Sequence, residues 1–382
     1  MVLTNQDMVE LVAFRRKLHS KPELSRQEAD TAREVQAFLK ATHPDWALTD
    51  LGGHGIAAVY EGREPGPTVM VRAELDGLPI QEISDAPHRS ATPGKGHLCG
   101  HDGHMAILAA LARELGRQRP QCGRAILMFQ PAEEDGSGAA AVVADPRFRQ
   151  IAPDFAFALH NVPGLPFGQV ALTEGPVNCA SRGMRIVLTG KTAHASMPET
   201  GLSPVNVVAQ LMPQLTALGR GGPMEEGFSM VTVTHARIGE PAFGVAPAHG
   251  EIWATLRTLT DSGMEELCAS AEQLVLSAAR EQGLGVEVSY DDIFHHCENA
   301  PEAVAHLRQA LDAEGVSYDR GDLPIRASED FGRFGQKAPA AMFFLGAGEK
   351  HPSLHNPDYD FPDDLIPIGA RVFMRTIRNL LG

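Results

Sequence analysis

Cysteine is scarce in this chain: five in 382 residues (Cys99, Cys122, Cys179, Cys268 and Cys297), odd in number and scattered. That usage fits a reducing compartment, and a chain this long can bury a sizeable core without disulfides. Positive charge is also short, with 33 Lys plus Arg against 48 Asp plus Glu and a formal net charge of −15. A nucleic-acid backbone or an anionic membrane needs a cationic surface, so neither is expected as a partner. No apolar run approaches the roughly 18–20 residues needed to span a bilayer. The first 19 residues carry Asp and Glu within their apolar stretch and lack a basic leading region, which reads against a secretory signal. No internal repeat or low-complexity tract is visible. A cytoplasmic protein is the expectation.

What is present is ordinary globular material, 43% hydrophobic and 21% charged, and the length suggests two to three domains. Two helices open the chain. Met8, Leu11, Val12 and Leu18 share one face; Pro22 is the stop; Ser25-Arg26-Gln27-Glu28 then reads as a capping box ahead of Ala29, Ala32, Val35, Phe38 and Leu39. β-rich runs follow at 56–60, 68–72, 125–129 and 155–159, with a helical pattern over 104–115 among them. Strands alternating with helices predict a layered α/β domain with a central, mostly parallel sheet. From residue 184 the pattern changes to β-α-β-β-α-β: 184–188, 205–218, 230–238, 252–259, 262–281 and 286–290. That order predicts an inserted ferredoxin-like α+β domain. Alternation resumes after residue 299 and ends in a strand at 340–345 and a helix over 366–381. The expected boundaries are 1–180 with 296–382 for a discontinuous larger domain and 181–295 for the insertion.

Reactive residues concentrate at strand-to-loop junctions. In Gly96-His97-Leu98-Cys99-Gly100-His101-Asp102-Gly103-His104, Cys99 and His101 are two apart, so an extended or turn backbone lets both side chains converge. A thiolate and an imidazole suit a borderline-soft divalent metal such as zinc, and the helix N-terminus behind them favours a deprotonated Cys99. In Phe129-Gln130-Pro131-Ala132-Glu133-Glu134-Asp135-Gly136, a strand runs into three carboxylates that repel one another unless a cation or proton compensates. Either one acid binds a metal while its neighbour serves as a base, or the acids form a solvated loop capping the next helix. His160 ends the strand from Phe155, and His351 and His355 punctuate the loop after 340–345. Read alone, each of these is an ordinary loop histidine; together they supply what a metal centre needs. Within the insertion, His194 reads locally as a turn residue and Arg257 as a surface ion pair.

These residues, with Arg72-Ala73-Glu74-Leu75-Asp76-Gly77-Leu78-Pro79, Gly190 to Pro198 and Ser328-Glu329-Asp330-Phe331, resemble the metal-dependent amidohydrolases related to aminoacylases. The branch of hippurate hydrolases, N-acetyl-amino-acid deacetylases and auxin-conjugate hydrolases is the nearest in pattern. The likeness extends from Arg15-Arg16-Lys17-Leu18-His19 and Pro22-Glu23 to the last helix. It implies two divalent metal ions per subunit, zinc or manganese with cobalt and nickel as alternatives, and a catalytic domain interrupted by a lid or dimerisation domain. Carried over by position, Cys99, His101, Glu134, His160 and His355 are the implied ligands. Glu133 is the implied general base, His194 the oxyanion stabiliser and Asp76 a residue that orients a ligand. Arg257 is the candidate partner of a substrate carboxylate.

The implied reaction is hydrolysis of an N-acyl amino acid, a small-molecule substrate, by a homodimer or higher homo-oligomer. A dipeptidase or carboxypeptidase of the same family, and a catalytically silent metal- or ligand-binding protein, are the competing readings. Two departures from the pattern, Phe243-Gly244-Val245-Ala246-Pro247 and Arg182-Gly183, fall on the side expected to hold the amino-acid half.

Overall fold

The computed structural model describes residues 3–382; residues 1 and 2, which begin the stretch read against a secretory signal, lie outside the described residues. The chain divides into two compact units. One comprises residues 3–177, Cys297–Leu323 and Asp330–Gly382; the other comprises Asn178–His296 with Pro324–Glu329. The short segment 324–329 thus falls with the second unit, although the sequence pattern places it with the first.

In the larger unit, helix α1 (Asn5–His19) begins at a reciprocal cap. Asp7 N donates to Thr4 Oγ1 at 3.2 Å and Thr4 N donates to Asp7 Oδ2 at 2.8 Å. Helix α2 (Ala29–Lys40) departs from the expected capping box, because no side chain caps it from Glu28. Ser25 Oγ donates instead to Asp76 Oδ2, Glu28 accepts the backbone N–H groups of Arg26 and Ala132, and Glu23 Oε2 caps Thr31 N at 2.7 Å. A local pattern cannot register that distant buried groups compete for the same side chains.

Strands β1 (Trp46–Leu51), β2 (Gly55–Glu61), β3 (Glu64–Glu74), β4 (Cys122–Gln130), β5 (Phe155–Pro163) and β6 (Val170–Ala171) join β15 (Tyr318–Asp319) and β16 (Ala340–Gly348) in one sheet. The strand order is β1-β2-β4-β3-β5-β16-β6-β15. Its centre is parallel, through β4–β3, β3–β5 and β5–β16, and the β1–β2–β4 side is antiparallel. The central strands are continuous apolar runs because helices cover them; Ala125 to Phe129 of β4 is buried throughout. Helix α3 (His101–Arg117) shares a single apolar core with the sheet, α1, α7 (Pro301–Glu314) and α9 (Ile366–Leu381). Short helices α4 (Gly138–Ala144) and α8 (Gly332–Gly335) and the paired strands β7 (Gly175–Asn178) and β14 (Cys297–Asn299) complete the elements around it.

The smaller unit contains β8 (Ala180–Thr189), α5 (Val205–Ala217), β10 (Ser229–Ile238), β12 (His249–Thr258), α6 (Asp261–Glu281) and β13 (Gly285–Phe294). Its antiparallel sheet has the order β10-β12-β8-β13, the ferredoxin-like arrangement expected from β-α-β-β-α-β. Met184, Ile186 and Leu188 of β8 face Val208 and Leu211 of α5 and Ala271 and Val275 of α6 in a core of their own. A two-stranded ribbon of β9 (Ala193–His194) and β11 (Val245–Ala246) stands apart from that sheet.

Helix α3 enters the core by way of two glycines. Gly100 has φ +93° and a Cβ there would collide with Asn161 Oδ1, while a Cβ on Gly103 would strike the Phe361 ring. Helix propensity alone favours Ala over Gly by about 1 kcal/mol, and overpacking a filled core costs about 1–3 kcal/mol. The steric term wins. Gly103→Ala is expected to lower the unfolding free energy by about 1 kcal/mol or more in urea titration, and an increase would show that the Phe361 ring yields.

Candidate metal centre

The donor residues come from separate elements and meet at one end of the larger unit. Gly100 turns the chain so that Cys99 precedes α3 and His101 begins it. Glu133 and Glu134 follow β4, His160 lies near the carboxyl end of β5, and His355 lies in the loop after β16. In open α/β sheets such strand ends are where functional side chains gather. Cys99 Sγ lies 3.4 Å from His160 Nε2 and 3.3 Å from His355 Nε2. Glu134 Oε2 is 3.7 Å from His355 Nε2, and its other oxygen is 3.9 Å from His101 Nε2. Donor atoms within 4.8 Å of one another define the groups Cys99/His101/His160, Cys99/Glu134/His355 and His101/Glu133/Glu134, beside Glu74/His101/His104 and Glu133/Glu329/Asp330.

The second nitrogens of His101 and His160 are fixed as metal ligation requires. His101 Nδ1 donates to the Asp76 carbonyl at 2.9 Å, and His160 Nδ1 donates to the Asn161 carbonyl at 2.8 Å. The buried His101 Nε2, facing the acids, finds no hydrogen-bond partner among the described residues. His355 has φ +66° and its N–H donates to Leu98 O at 2.8 Å, which ties this half-exposed residue to the Cys99 turn. The Asp76 side chain grips the acid loop, with Oδ2 accepting Glu134 N at 2.9 Å.

Electrostatics point the same way. Burial, then the Glu134 and Glu133 charges, push the Cys99 thiol well above its ordinary value. The helix N-terminus expected to favour a thiolate is therefore outweighed in the protein alone. Burial, then the His104 charge, hold His160 down at about 3, and burial, then His101, lower His355. Burial opposes the proton on His101 as well, but Glu74, Asp76 and Glu134 overcome it and hold that imidazole up at about 10. Without an ion the crowded acids are compensated by the proton on His101 while Cys99 stays a thiol; a divalent cation would replace those protons, and His160 and His355 are already held neutral. The residues present fit such an ion.

Several supporting residues have no role assigned from the sequence. His104 Nδ1 lies 2.6 Å from Glu74 Oε2 and its Nε2 lies 2.6 Å from Asn161 Oδ1. Arg72 pairs with Glu74 and Asp330 and donates to Gln130 Oε1 at 2.8 Å; Asp330 Oδ2 in turn accepts Ala139 N at 2.8 Å. His104 and Arg72 stand inside the quoted sequence motifs, but only a three-dimensional arrangement supplies their partners.

His194 and Arg257 belong to the smaller unit. The exposed His194 sits in β9, and Ser196 N donates to its Nδ1 at 3.1 Å, leaving Nε2 as the protonated nitrogen of the neutral ring. Arg257 of β12 donates to Arg326 O at 3.0 Å and Ser328 Oγ at 2.9 Å, so those hydrogen bonds go to neutral oxygens and not to a carboxylate. The surface ion pair read from its local sequence is not what these bonds form.

A cluster of donors at the strand ends of an α/β sheet, with a further acid beside it, is the arrangement of a metal-dependent hydrolase. The model of Peptidase family M20/M25/M40 matches residues 70–379. The chain belongs to that family. It is 30% identical over 379 residues to the N-acetyldiaminopimelate deacetylase of Enterococcus faecalis, covering 97% of this chain and 98% of that one. It is 30% identical over 376 residues to the IAA-amino acid hydrolase ILR1-like 5 of Arabidopsis thaliana, covering 94% and 84%. Among solved structures, it resembles the YXEP protein of Bacillus subtilis, described as a dinuclear metal binding peptidase, with a TM-score of 0.82, 25% identity and 99% of each chain covered. No helix among the described residues is long and apolar enough to cross a membrane.

The helix that carries His101 is anchored by buried charge. His19 Nδ1 lies 2.9 Å from Asp102 Oδ2, its Nε2 lies 3.3 Å from Glu82 Oε1, and Arg15 reaches the same Asp102 at 3.2 Å. Burial disfavours the His19 cation, but Asp102 and Glu82 outweigh it and hold the ring up at about 10. A raised histidine contributes stability that is complete below its unfolded value near 6.5 and is lost as pH climbs through about 10. The urea midpoint of the wild type is thus expected to fall between pH 7 and 10 more steeply than that of His19→Gln. Parallel slopes would show that the charged pair contributes nothing.

Proposed function

We propose that this protein hydrolyses the amide bond of N-acyl amino acids, releasing a carboxylic acid and a free amino acid. The observation that carries the reading is the unequal placement of two adjacent acids. Both acids share a group with His101, but only Glu134 belongs to the group with Cys99 and His355; Glu133 approaches His101 at 3.8 Å and its other group is with Glu329 and Asp330. A site that only stored metal has no use for that second carboxylate. The names of the relatives, a deacetylase and an amino acid hydrolase, support the acyl amino acid class.

In this reading Cys99, His101, Glu134, His160 and His355 hold two divalent cations, and Asp76 fixes His101 and Glu134. Bound there, such ions lower the pKa of water toward about 7 and polarise an acyl oxygen. Glu133 takes the proton of the attacking water and returns it to the departing amine nitrogen, the step that an unassisted amide lacks. His194 donates Nε2–H to the tetrahedral oxygen, and one such donor contributes about 3 kcal/mol to the transition state. Arg257, held in place by Arg326 O and Ser328 Oγ, pairs with the substrate carboxylate through its planar fork. The smaller unit acts as the lid or dimerisation domain that presents both residues.

Three substitutions test the assignment. Glu133→Ala is expected to keep bound metal, measured by elemental analysis, while losing most turnover of N-acetyl amino acids; a wild-type rate would remove Glu133 as the base. His194→Ala is expected to lower kcat by about a hundredfold with metal content unchanged, and an unaltered kcat would exclude it from the chemistry. His355→Ala is expected to lower metal occupancy, and full occupancy would exclude it as a ligand.

A further inference from the structure

The acid loop is gripped from two sides, and only one of the two grips belongs to a motif assigned above. On one side Asp76 Oδ2 accepts Glu134 N at 2.9 Å and Ser25 Oγ at 2.8 Å. On the other, Glu28 Oε1 accepts Ala132 N at 2.7 Å and Arg26 N at 2.9 Å. Glu28 is fully buried, and its Oε2 has no hydrogen-bond partner among the described residues. Burying a carboxylate is unfavourable, and a helix N-cap gives no reason to do so here because Glu28 caps nothing. What it does reach is Ala132, 104 positions away, whose φ of +51° lies in the region that L-residues avoid. Glu133 and Glu134 follow directly, so the torsion at Ala132 determines where both acids point.

We propose that Glu28 is a positioning residue: its carboxylate holds Ala132 in the left-handed backbone conformation and so directs Glu133 and Glu134 into the donor cluster. The inference rests on the proposed metal-dependent hydrolysis for its consequence in turnover, but its consequence for metal binding is independent of the substrate. The acceptor oxygen is what the loop requires. Glutamine keeps an Oε1 in the same place, whereas leucine removes it and leaves the buried Ala132 N–H without an acceptor.

The test titrates metal-stripped protein with Co2+ alone, followed by the absorption of the cobalt–thiolate centre, and measures kcat, KM and thermal unfolding on the same preparations. For Glu28→Leu the expectation is a cobalt dissociation constant raised about tenfold or more and a kcat lowered by about 10- to 100-fold, with KM changed less than about threefold. Glu28→Gln is expected to stay within about threefold of wild type in each. Ala132→Gly in the Glu28→Leu background is expected to recover much of the cobalt affinity, because glycine adopts positive φ unaided.

Glu28→Met, which also lacks the acceptor, replaces Glu28→Leu if the latter does not fold. A folded Glu28→Leu or Glu28→Met protein with wild-type cobalt affinity and kcat, and only a lower melting temperature, would overturn the proposal by showing a purely structural role. Failure of the glycine to restore any affinity would overturn the backbone argument. Should the wild type hydrolyse no N-acyl amino acid, the hydrolase reading fails while the cobalt titration still decides the role of Glu28.

Discussion

Negative charge crowded at the carboxyl ends of the central strands is the constraint from which the rest of the larger unit follows. Glu74 and Asp76 are fully buried and Glu133 nearly so, and Glu134 and Asp330 lie beside them. Such a concentration persists in a low-dielectric interior only with compensation. Arg72 compensates Glu74 and Asp330, His104 lies against Glu74, and backbone N–H groups of Glu134, Ala132 and Ala139 point at Asp76, Glu28 and Asp330. Apart from Arg72–Glu74, two residues apart in β3, these contacts join elements distant in sequence. The folded chain therefore builds a donor cluster whose arrangement is set by charge as much as by apolar packing.

The layered architecture was legible because periodicity is a local property. The apolar run at 125–129 and the β-α-β-β-α-β order after residue 180 each predict an element from its own residues, and the sheets have the predicted character. The donor types were legible too, since Cys99 and His101 or Glu133 and Glu134 stand side by side. What the pattern misread was the purpose of Ser25 and Glu28. A capping box is defined by spacing, and spacing cannot reveal that Asp76 and Ala132 occupy both side chains. Similarly, the helix N-terminus argued for a thiolate at Cys99, but burial and the Glu134 charge, known only from the fold, are larger. Edge elements such as β6 and β15, two residues each, carry no periodic signal at all.

The division into two units also separates two kinds of residue. Donors and their supports lie in the first; His194, with a protonated Nε2, and Arg257, with hydrogen bonds to neutral oxygens, lie in the second. Under the proposed assignment, groups that would recognise and stabilise a substrate are borne on a separate compact body from groups that would hold metal.

Chain order has a consequence for biosynthesis. Under the proposed assignment, the turn bearing Cys99 and His101 and the strand bearing His160 emerge early, but His355 arrives only after the whole second unit has been made. At about 5–20 residues per second, the intervening stretch of about 200 residues takes roughly 10–40 s to translate. A nascent chain with a thiol, two imidazoles and several acids exposes an incomplete chelate throughout that interval. The group of Cys99, Glu134 and His355 is consequently completed only in the finished polypeptide, whereas that of Cys99, His101 and His160 is already present in the nascent chain.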